Sequence, residues 1–311
     1  MKLTKKDFEE VLLNYGLGKY KGNKYIFTGG NLVYKLITTK GKFILKVYQG
    51  GSDSNIKYQI KLMEFLKNKE VATPKIINTK DGKGLLIWNK MKIAIQEFAE
   101  GKQITQANKE LAKSMGNEYG KLDKILLKFK EKNKGDPDDN PLKLVKWDID
   151  KIYGRNVKKE AKKVFEEIKR LDLGKLRKSM IHGDLCEGNF LVKNNKVSAI
   201  IDWDDVREDF LAYEIAVPVA HNFTTKKNVR KDNIKIFLRE YQKHIKLNEE
   251  EKRAVFLFAK HRMMSAGAWS YDQIKKHPKM KEELLSWVEF SIKQYNALNK
   301  LSEKEFLELL K

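Results

Sequence analysis

Two short segments near the middle of the chain hold the side chains best suited to chemistry. They read IHGDLCEGNFLV, beginning at Ile181, and AIIDWDD, ending at Asp205. In both segments, polar residues stand beside apolar runs that predict strands, and the pair Asn194-Asn195 between them predicts a tight turn. The sequence therefore predicts a hairpin that carries polar side chains at its ends.

Three oxygen-bearing side chains are expected at one rim of this hairpin: Asp184, Asn189 and Asp202. Carboxylate and amide oxygens suit Mg²⁺, which keeps several waters and shares the phosphates of its substrate. Phosphoryl transfer uses such a set, because one carboxylate faces the acceptor hydroxyl while an amide and a second carboxylate hold the metal. Each residue alone would be typical of a turn or a helix cap, but their joint spacing favours the functional interpretation.

The composition excludes several other classes of protein. The chain has 311 residues, of which 41% are hydrophobic, and a single cysteine, Cys186. One cysteine excludes both a disulfide-stapled secreted fold and a cysteine-rich zinc module. The first residues place charges inside their apolar stretch, and no apolar run approaches the ~20 residues of a membrane span. We therefore expect a cytoplasmic protein that does not bind a membrane.

The basic charge has two interpretations. A formal net charge of +22 could neutralise the phosphates of a nucleic acid, or it could attract an anionic substrate or nucleotide. The lysines are spread over the whole length without a dense basic block. We therefore do not expect a nucleic-acid partner, and steep salt-dependent retention of duplex DNA would be needed to support one.

The first hundred residues predict a strand-rich region. An amphipathic helix is expected at 5–15, and a second helix should be capped by Asp53 or Ser54 and run to about Lys69. Turn residues separate the short apolar runs, which predicts an antiparallel meander. Its strands are expected at 25–28, 32–38, 42–48, 84–88 and 92–97.

Helical periodicity dominates from about residue 107 onward. The stretch KNKGDPDDNP at 132–141 predicts a loop, and the strand-turn-strand unit is expected at 179–203. Helices are expected at 107–129, 143–173, 231–247, 249–272, 279–298 and 302–310.

The two polar segments resemble a known pattern. They are similar to the motif of the aminoglycoside phosphotransferase, choline kinase and homoserine kinase superfamily, in which H-G/N-D-x4-N precedes an apolar strand ending in I-D-F/W. The resemblance is nearest to its homoserine-kinase-like and spore-coat-kinase-like members. It implies an α+β, bilobal, protein-kinase-like fold. A small antiparallel-sheet lobe that binds the nucleotide would cover 1–98, and a larger, mostly helical lobe with the catalytic loop would cover 99–311.

The resemblance also implies a role for each matching residue of the hairpin. Asp184 corresponds to the catalytic base, and Asn189 and Asp202 correspond to the metal ligands. His182 matches the residue that braces the catalytic loop. The cofactors implied are ATP and Mg²⁺, and the partners are a nucleotide and a small-molecule acceptor. The oligomeric state and the choice of ATP over GTP stay open.

The stretch FTGGNLVYKLITTKGKFILKVY resembles the family pattern of a glycine turn followed by a lysine strand. The resemblance implies that Gly29, Gly30 and Asn31 form the turn over the phosphates. Glycine lets the backbone approach a ligand closely. Lys46 then matches the lysine that contacts the α- and β-phosphates.

Two further stretches match the family more weakly. AIQEFAEG resembles the hinge, where the backbone of Glu97 and Ala99 would meet the adenine edge. DFLAYEIA, at 209–216, resembles the family element D-x-x-Y-D-L-A, with Glu214 in place of the last Asp.

One position departs from the family pattern. The helix after the lysine strand should carry a glutamate that pairs with Lys46, and the alignment puts Gln59 there. A neutral amide can hydrogen-bond the lysine but cannot neutralise it. A weaker lysine anchor, a replacement acid from elsewhere and a reduced activity are the three alternatives.

A small hydroxyl-bearing acceptor fits better than a protein substrate. The catalytic loop lacks the basic residue that protein kinases place between Asp and Asn, and the chain has no A-P-E motif. The acceptor pocket is expected between the catalytic loop and the last helices, where acids would suit an amino alcohol, amino acid or aminoglycoside; a sugar is a further candidate. The candidate lining residues are Trp203, Asp204, Asp205, Arg262, Trp269 and Tyr271.

Three rival functions stay open. The first is a kinase-like protein of low or no activity with a structural role, similar to the spore-coat-associated members; Gln59 favours it, whereas the intact Asp184, Asn189 and Asp202 oppose it. The second is nucleic-acid binding. The third is a hydrolase that uses the same acids and releases phosphate without an acceptor.

Overall fold

The computed structural model describes residues 2–26, 30–104, 106–131 and 155–311. Gly29, the loop predicted at 132–141 and the beginning of the helix predicted at 143–173 lie outside these residues. The chain divides into two compact units. The first comprises Met1–Gly101 and Ser198–Asp204, and the second comprises Lys102–Val197 and Asp205–Lys311.

The first unit is built on an antiparallel sheet with the strand order β1-β2-β3-β6-β4, and β5 also pairs with β6. The strands are β1 Tyr20–Ile26, β2 Leu32–Thr38, β3 Gly41–Tyr48, β4 Ile76–Ile77, β5 Leu86–Trp88 and β6 Met91–Glu97. Helix α1, Lys5–Leu12, buries Phe8 and Val11 against the alternate side chains Tyr34, Leu36 and Leu45 of the sheet. This packing fixes which face of β2 and β3 is turned to the core, because a strand sends successive side chains to opposite faces.

The predicted meander is confirmed, with differences at three strands. β4 was not predicted, β5 begins at Leu86, two residues after its predicted start, and the start of β1 is shifted. β1 begins at Tyr20, five residues before the predicted start, because its sequence YKGNKYI is mostly exposed and lacks an apolar run. The turn between β5 and β6 is formed by Asn89 and Lys90, which have φ values of 47° and 64°. A two-residue turn with φ above zero at both positions matches the twist of an antiparallel pair.

Helix α2, Asp53–Leu66, follows the lysine strand as predicted. The predicted cap, Asp53 or Ser54, is wrong by one or two residues. Ser52 has the extended backbone that a cap requires, and its side chain accepts a hydrogen bond from the Asn55 N–H.

The second unit is mostly helical. Its helices are α3 Lys109–Leu126, α4 Arg155–Lys169, α5 Leu211–His221, α6 Lys231–Tyr241, α7 Glu249–Lys276, α8 Lys281–Asn299 and α9 Glu303–Glu308. The predicted helices within the described residues are confirmed, although several of their ends differ. α6 ends at Tyr241, six residues early, α4 ends at Lys169, four residues early, and α7 ends at Lys276, four residues late. Helix α5 was not predicted. No helix within these residues is long and apolar enough to cross a membrane.

Four short strands carry the polar segments. They are β7 Lys178–Ile181, β8 Phe190–Lys193, β9 Lys196–Ile200 and β10 Arg207–Phe210. β8 and β9 form the predicted hairpin, which turns at Asn194 and Asn195 with φ values of 52° and 57°. β10 pairs with β7 and was not predicted, because two of its three buried residues are polar: Arg207 and Asp209 form an ion pair at 3.0 Å.

Candidate active site

Lys46 lies in the middle of β3, between Val33 of β2 and Ala94 of β6, and only 8% of its surface is exposed. Its Nζ lies 2.5 Å from Oδ1 of Asp204 and 3.3 Å from Oδ1 of Asp202. Burial alone would lower the pKa of Lys46, but the two carboxylates outweigh it and raise the pKa above its ordinary value. The first unit therefore holds one charged lysine against two acids.

Asp204 joins three elements of the first unit. Its Oδ1 pairs with Lys46, and its Oδ2 accepts a hydrogen bond of 2.7 Å from Nδ2 of Asn31 in the glycine turn. Its backbone carbonyl accepts one of 3.2 Å from Nε2 of Gln59 on α2. Asn31 is held a second time, because its Oδ1 accepts the N–H of Gln49 at 2.9 Å.

A pocket of about 340 Å³ opens beside this junction, within the first unit. Its walls are the described part of the glycine turn, the end of β3 with the residues just after it, and the first turns of α2, with Asp204 at one side. Polar side chains such as Asn55 and Gln59 share the lining with the apolar surfaces of Tyr48 and Ile56. Gly30 and Asn31, two of the three predicted turn residues, contribute to the wall.

Asp202 ends the strand segment with a φ of +62°. This left-handed conformation is costly for a residue with a Cβ, although aspartate tolerates it better than most. Its side chain is 43% exposed, more than the 33% of Asp204. An exposed carboxylate oxygen held by local strain fits a hard cation such as Mg²⁺.

Trp203, between the two acids, points into the first unit and is 3% exposed. Its Nε1 donates to Oγ1 of Thr73 at 3.1 Å, and the Thr73 hydroxyl donates to the Ile200 carbonyl at 3.2 Å. These bonds fix the backbone on which Asp202 and Asp204 stand. A role in lining an acceptor pocket, as predicted, would require this ring to move.

The hinge segment continues β6. The Glu97 N–H donates to the Lys75 carbonyl at 2.9 Å, and the Glu97 carboxylate accepts the Lys75 N–H at 3.3 Å. The N–H of Glu97 is therefore used inside the sheet. Contact of the Glu97 and Ala99 backbone with adenine stays a prediction.

In the second unit, residues 182–189 form the loop between β7 and β8, which corresponds to the predicted catalytic loop, and Glu214 anchors it. This residue lies in the first turn of α5 and is 1% exposed. Its two carboxylate oxygens accept the N–H groups of His182, at 2.8 Å, and Gly183, at 2.9 Å. A buried carboxylate thus satisfies two buried donors of the loop at once. The weak match of DFLAYEIA to the family element pointed to Glu214, but it did not predict which groups Glu214 contacts.

Gly183 allows the loop to turn directly before Asp184. Its φ is +83°, and a Cβ there would lie 2.5 Å from Nη1 of Arg207 and 2.7 Å from the Asp205 carbonyl. Any other residue would meet both strain and a clash.

Asn189 folds back onto Asp184. Its Nδ2 donates to Oδ2 of Asp184 at 2.7 Å and to the Asp184 carbonyl at 2.8 Å. The structure therefore brings together the predicted base and one predicted metal ligand. With its amide nitrogen used in this way, the amide oxygen of Asn189 is the atom that could bind a cation.

Arg262, from the middle of α7, forms an ion pair with Oδ1 of Asp184. Burial would raise the pKa of Asp184, but the positive charge of Arg262 outweighs it and holds the pKa below its ordinary value. Nε of Arg262 donates to Nε2 of His221 at 3.1 Å. Burial lowers the pKa of His221 to about 3, so its ring is neutral and can accept this bond.

The predicted acceptor residue Arg262 is thus placed against the base itself. His221 was not among the predicted site residues, because a lone histidine at the end of an apolar helix carries no distinctive pattern. Trp269, another predicted acceptor residue, lies two turns further along α7 with 64% of its surface exposed.

Glu187 is the second acid of the catalytic loop. Its Oε2 is buried without a hydrogen-bond partner among the described residues, and Nδ1 of His221 lies 3.8 Å away. Burial raises the pKa of Glu187 to about 7. An incompletely paired buried carboxyl group beside the base is a candidate contact for a polar group of an acceptor.

Comparison with known proteins places these features in context. Residues 28–244 match the sequence profile of the phosphotransferase enzyme family. The chain is 24% identical over 259 residues to homoserine kinase from Zymomonas mobilis, with 78% of each chain covered. It is 28% identical over 223 residues to homoserine kinase from Bartonella henselae, with 68% of each chain covered.

Solved structures share the fold. An amicoumacin kinase in complex with AMP-PNP and Ca²⁺ has a TM-score of 0.72 at 17% identity, with 91% of this chain and 92% of that chain covered. A microcompartment-associated aminopropanol kinase gives 0.67 at 13% identity, with 97% and 98% covered. A spectinomycin phosphotransferase in complex with ADP gives 0.66 at 15% identity, with 97% and 100% covered. The likeness confirms the predicted α+β, kinase-like fold, with its antiparallel sheet near the N-terminus and its helices beyond.

Proposed function

Because the chain belongs to the phosphotransferase enzyme family and is a small-molecule kinase acting on a hydroxyl, we propose that it transfers the γ-phosphoryl group of ATP to a small alcohol that carries an amine. The observation that carries the proposal is the catalytic loop. There Asp184 is kept ionised by Arg262 and bonded to Asn189, while Glu214 satisfies the loop backbone.

The nucleotide phosphates are assigned to the first unit. Lys46 stays charged because two acids raise its pKa, so it can attract the phosphate oxygens. Gly30 and Asn31 belong to the turn that would cover them, together with Gly29, which lies outside the described residues.

Asp202 and Asn189 are the proposed metal ligands. Their donor atoms are a carboxylate and an amide oxygen, which is the chemistry that Mg²⁺ prefers. When bound, the metal would neutralise negative charge on the phosphates.

Asp184 is the proposed base. The acceptor hydroxyl gives its proton to the Asp184 carboxylate, its oxygen bonds to the γ-phosphorus, and the bond from that phosphorus to the β-phosphate oxygen breaks to release ADP. Because the pKa of Asp184 is held low, its main work is to orient the hydroxyl, and it takes the proton late.

The acceptor class is supported by two kinds of observation. The relatives named homoserine kinase and aminopropanol kinase act, by those names, on hydroxyl compounds that also carry an amine. In this chain, Glu187 adds a buried, incompletely paired carboxyl group to the loop of Asp184, where an ammonium group would find a partner. Homoserine and 1-amino-2-propanol are therefore the first acceptors to try.

The alternative is a kinase-like protein of low activity, which Gln59 favours because it cannot neutralise Lys46. Against it, Lys46 is neutralised by Asp202 and Asp204 in the same unit.

An acceptor screen tests the proposal. The purified protein is incubated with ATP, Mg²⁺ and, one at a time, homoserine, 1-amino-2-propanol, a hexose and an aminoglycoside, and ADP and free phosphate are both measured. We expect ADP without free phosphate, dependent on one amine-bearing alcohol, and a loss of ~10²–10⁴-fold in Asp184→Asn. Free phosphate without an acceptor would indicate a hydrolase instead. No ADP with any acceptor, despite a thermal shift with Mg–ATP, would favour the low-activity alternative.

A further inference from the structure

We infer that Asp204 is the positioning residue that orients Lys46 for the nucleotide, in the place where α2 offers only the neutral Gln59. The inference rests on the proposed function, since it concerns how the phosphate-binding lysine is held. Of the three alternatives that Gln59 leaves open, the structure supports a replacement acid from elsewhere in the chain.

The geometry separates the two acids beside Lys46. The Nζ to Oδ1 distance is 2.5 Å for Asp204 and 3.3 Å for Asp202. The Asp204 side chain is also the more buried of the two. One lysine cannot neutralise two carboxylates fully, so the shorter and more buried contact is the one that persists as its ion pair. Asp202 is then available for a cation.

Gln59 contributes in a different way. Its Nε2 donates to the backbone carbonyl of Asp204, and 7% of the residue is exposed. The helix therefore still holds the lysine, but through the backbone of the acid rather than through an acid of its own. A glutamate at this position would place its charge in the same buried region.

The second oxygen of Asp204 extends the arrangement to the glycine turn. Because Oδ2 binds the Asn31 amide while Oδ1 binds Lys46, a single carboxylate sets the relative position of the turn and the lysine. Loss of this carboxylate should misplace both groups that are expected to contact the phosphates. Misplacement by about 1 Å can cost on the order of 10²-fold in rate.

A double-mutant cycle tests the pair without any enzymatic assay. Lys46→Met, Asp204→Asn and the double variant are compared with the wild type in thermal unfolding. We expect Asp204→Asn to lower Tm in the wild-type background and to have little effect, or the opposite effect, in the Lys46→Met background, because a buried acid without its lysine is itself destabilising. The matched control is the exposed pair Lys83 and Asp81, whose side chains are 71% and 59% exposed and whose Tm effects should add.

A rescue experiment tests the positioning role. Asp204→Asn should lower kcat/KM for ATP by ~10–100-fold, with the KM for the acceptor unchanged. Adding Gln59→Glu to Asp204→Asn should raise kcat/KM for ATP at least ten-fold above that of Asp204→Asn alone, because the helix then supplies the missing acid.

Three results would overturn the inference. They are additive Tm effects for Lys46 and Asp204, wild-type kcat/KM for ATP in Asp204→Asn, or a combination of Gln59→Glu with Asp204→Asn that is no more active than Asp204→Asn alone. If the wild type itself turns over no acceptor, the proposed function fails, and the Tm cycle alone decides the inference.

Discussion

Arg262 and Asp184 form an ion pair in the second unit, and the same guanidinium donates to the neutral ring of His221. An arginine from α7 thus fixes the orientation of the carboxylate that is proposed to face the acceptor. The pair explains why Asp184 stays ionised although it is largely buried.

The first prediction concerns this arginine. Arg262→Ala should lower kcat by ~10–100-fold and leave the KM for ATP within two-fold, because the base loses its orientation while the nucleotide contacts remain. Arg262→Lys should retain part of the rate, since it keeps the charge but not the planar fork. Steady-state kinetics with the identified acceptor give both numbers. A rise in the KM of the acceptor alone, with kcat intact, would instead make Arg262 an acceptor contact.

The second prediction concerns Glu214. Glu214→Gln turns one carboxylate oxygen into an N–H₂ group that faces a backbone N–H of the catalytic loop. The unsatisfied donor should cost about 1–3 kcal/mol of unfolding free energy, which urea unfolding can measure. Glu249→Gln, at a side chain 82% exposed, is the matched control and should change stability little. Equal effects of the two substitutions would contradict the anchoring role.

The third prediction concerns the turn before the base. Gly183→Ala introduces a Cβ at a φ of +83°, within 2.5 Å of the Arg207 guanidinium. We expect a loss of stability of about 1–3 kcal/mol from the backbone strain alone, and a strong loss of activity. Gly188→Ala in the same loop is the control, because a Cβ there meets nothing within 4 Å. Similar unfolding curves for the two variants would mean that the loop can relax.

The fourth prediction concerns the pH dependence of stability. His221 has its pKa lowered by burial from 6.5 to about 3, so it stays neutral in the folded protein while the unfolded chain takes up a proton below pH 6.5. Its contribution to stability is complete above pH 6.5 and is lost as the pH falls toward 3, by up to about 1.4 kcal/mol for each pH unit.

His221→Asn should therefore flatten the fall of Tm between pH 6 and pH 4, relative to the wild type. His277→Asn, at an exposed residue, serves as the control and should leave the slope unchanged. Parallel curves for His221→Asn and the wild type would show that this histidine titrates normally.

Local patterns predicted much of the fold. Alternating apolar residues and turn pairs such as Asn194-Asn195 predicted the meander and the hairpin, because both depend on neighbours in the chain. The closeness of Asp184 and Asn189 also follows from their spacing within one loop. β10 was not predicted because Arg207 and Asp209 form an ion pair in the interior. In sequence, charged residues that are buried as a pair look the same as charged residues on an exposed strand.

The partners of the site residues could not be predicted in the same way. Asp204 is 158 positions from Lys46, and Arg262 is 78 from Asp184. Such contacts depend on how whole elements pack. In a chain with many charges, the sequence around a single aspartate or arginine does not show which residue it will pair with. The resemblance to the family supplied the positions of the site, whereas the replacement for the missing helix acid emerged only from the structure.

The left-handed backbone of Asp202 has a consequence for how its role is probed. An alanine scan at this residue would remove a carboxylate and, at the same time, force a methyl-bearing residue to keep a conformation that asparagine and glycine tolerate better. The resulting defect would mix impaired folding with impaired cation affinity. Asn is the replacement that isolates the charge, and Gly is the one that reports on the backbone.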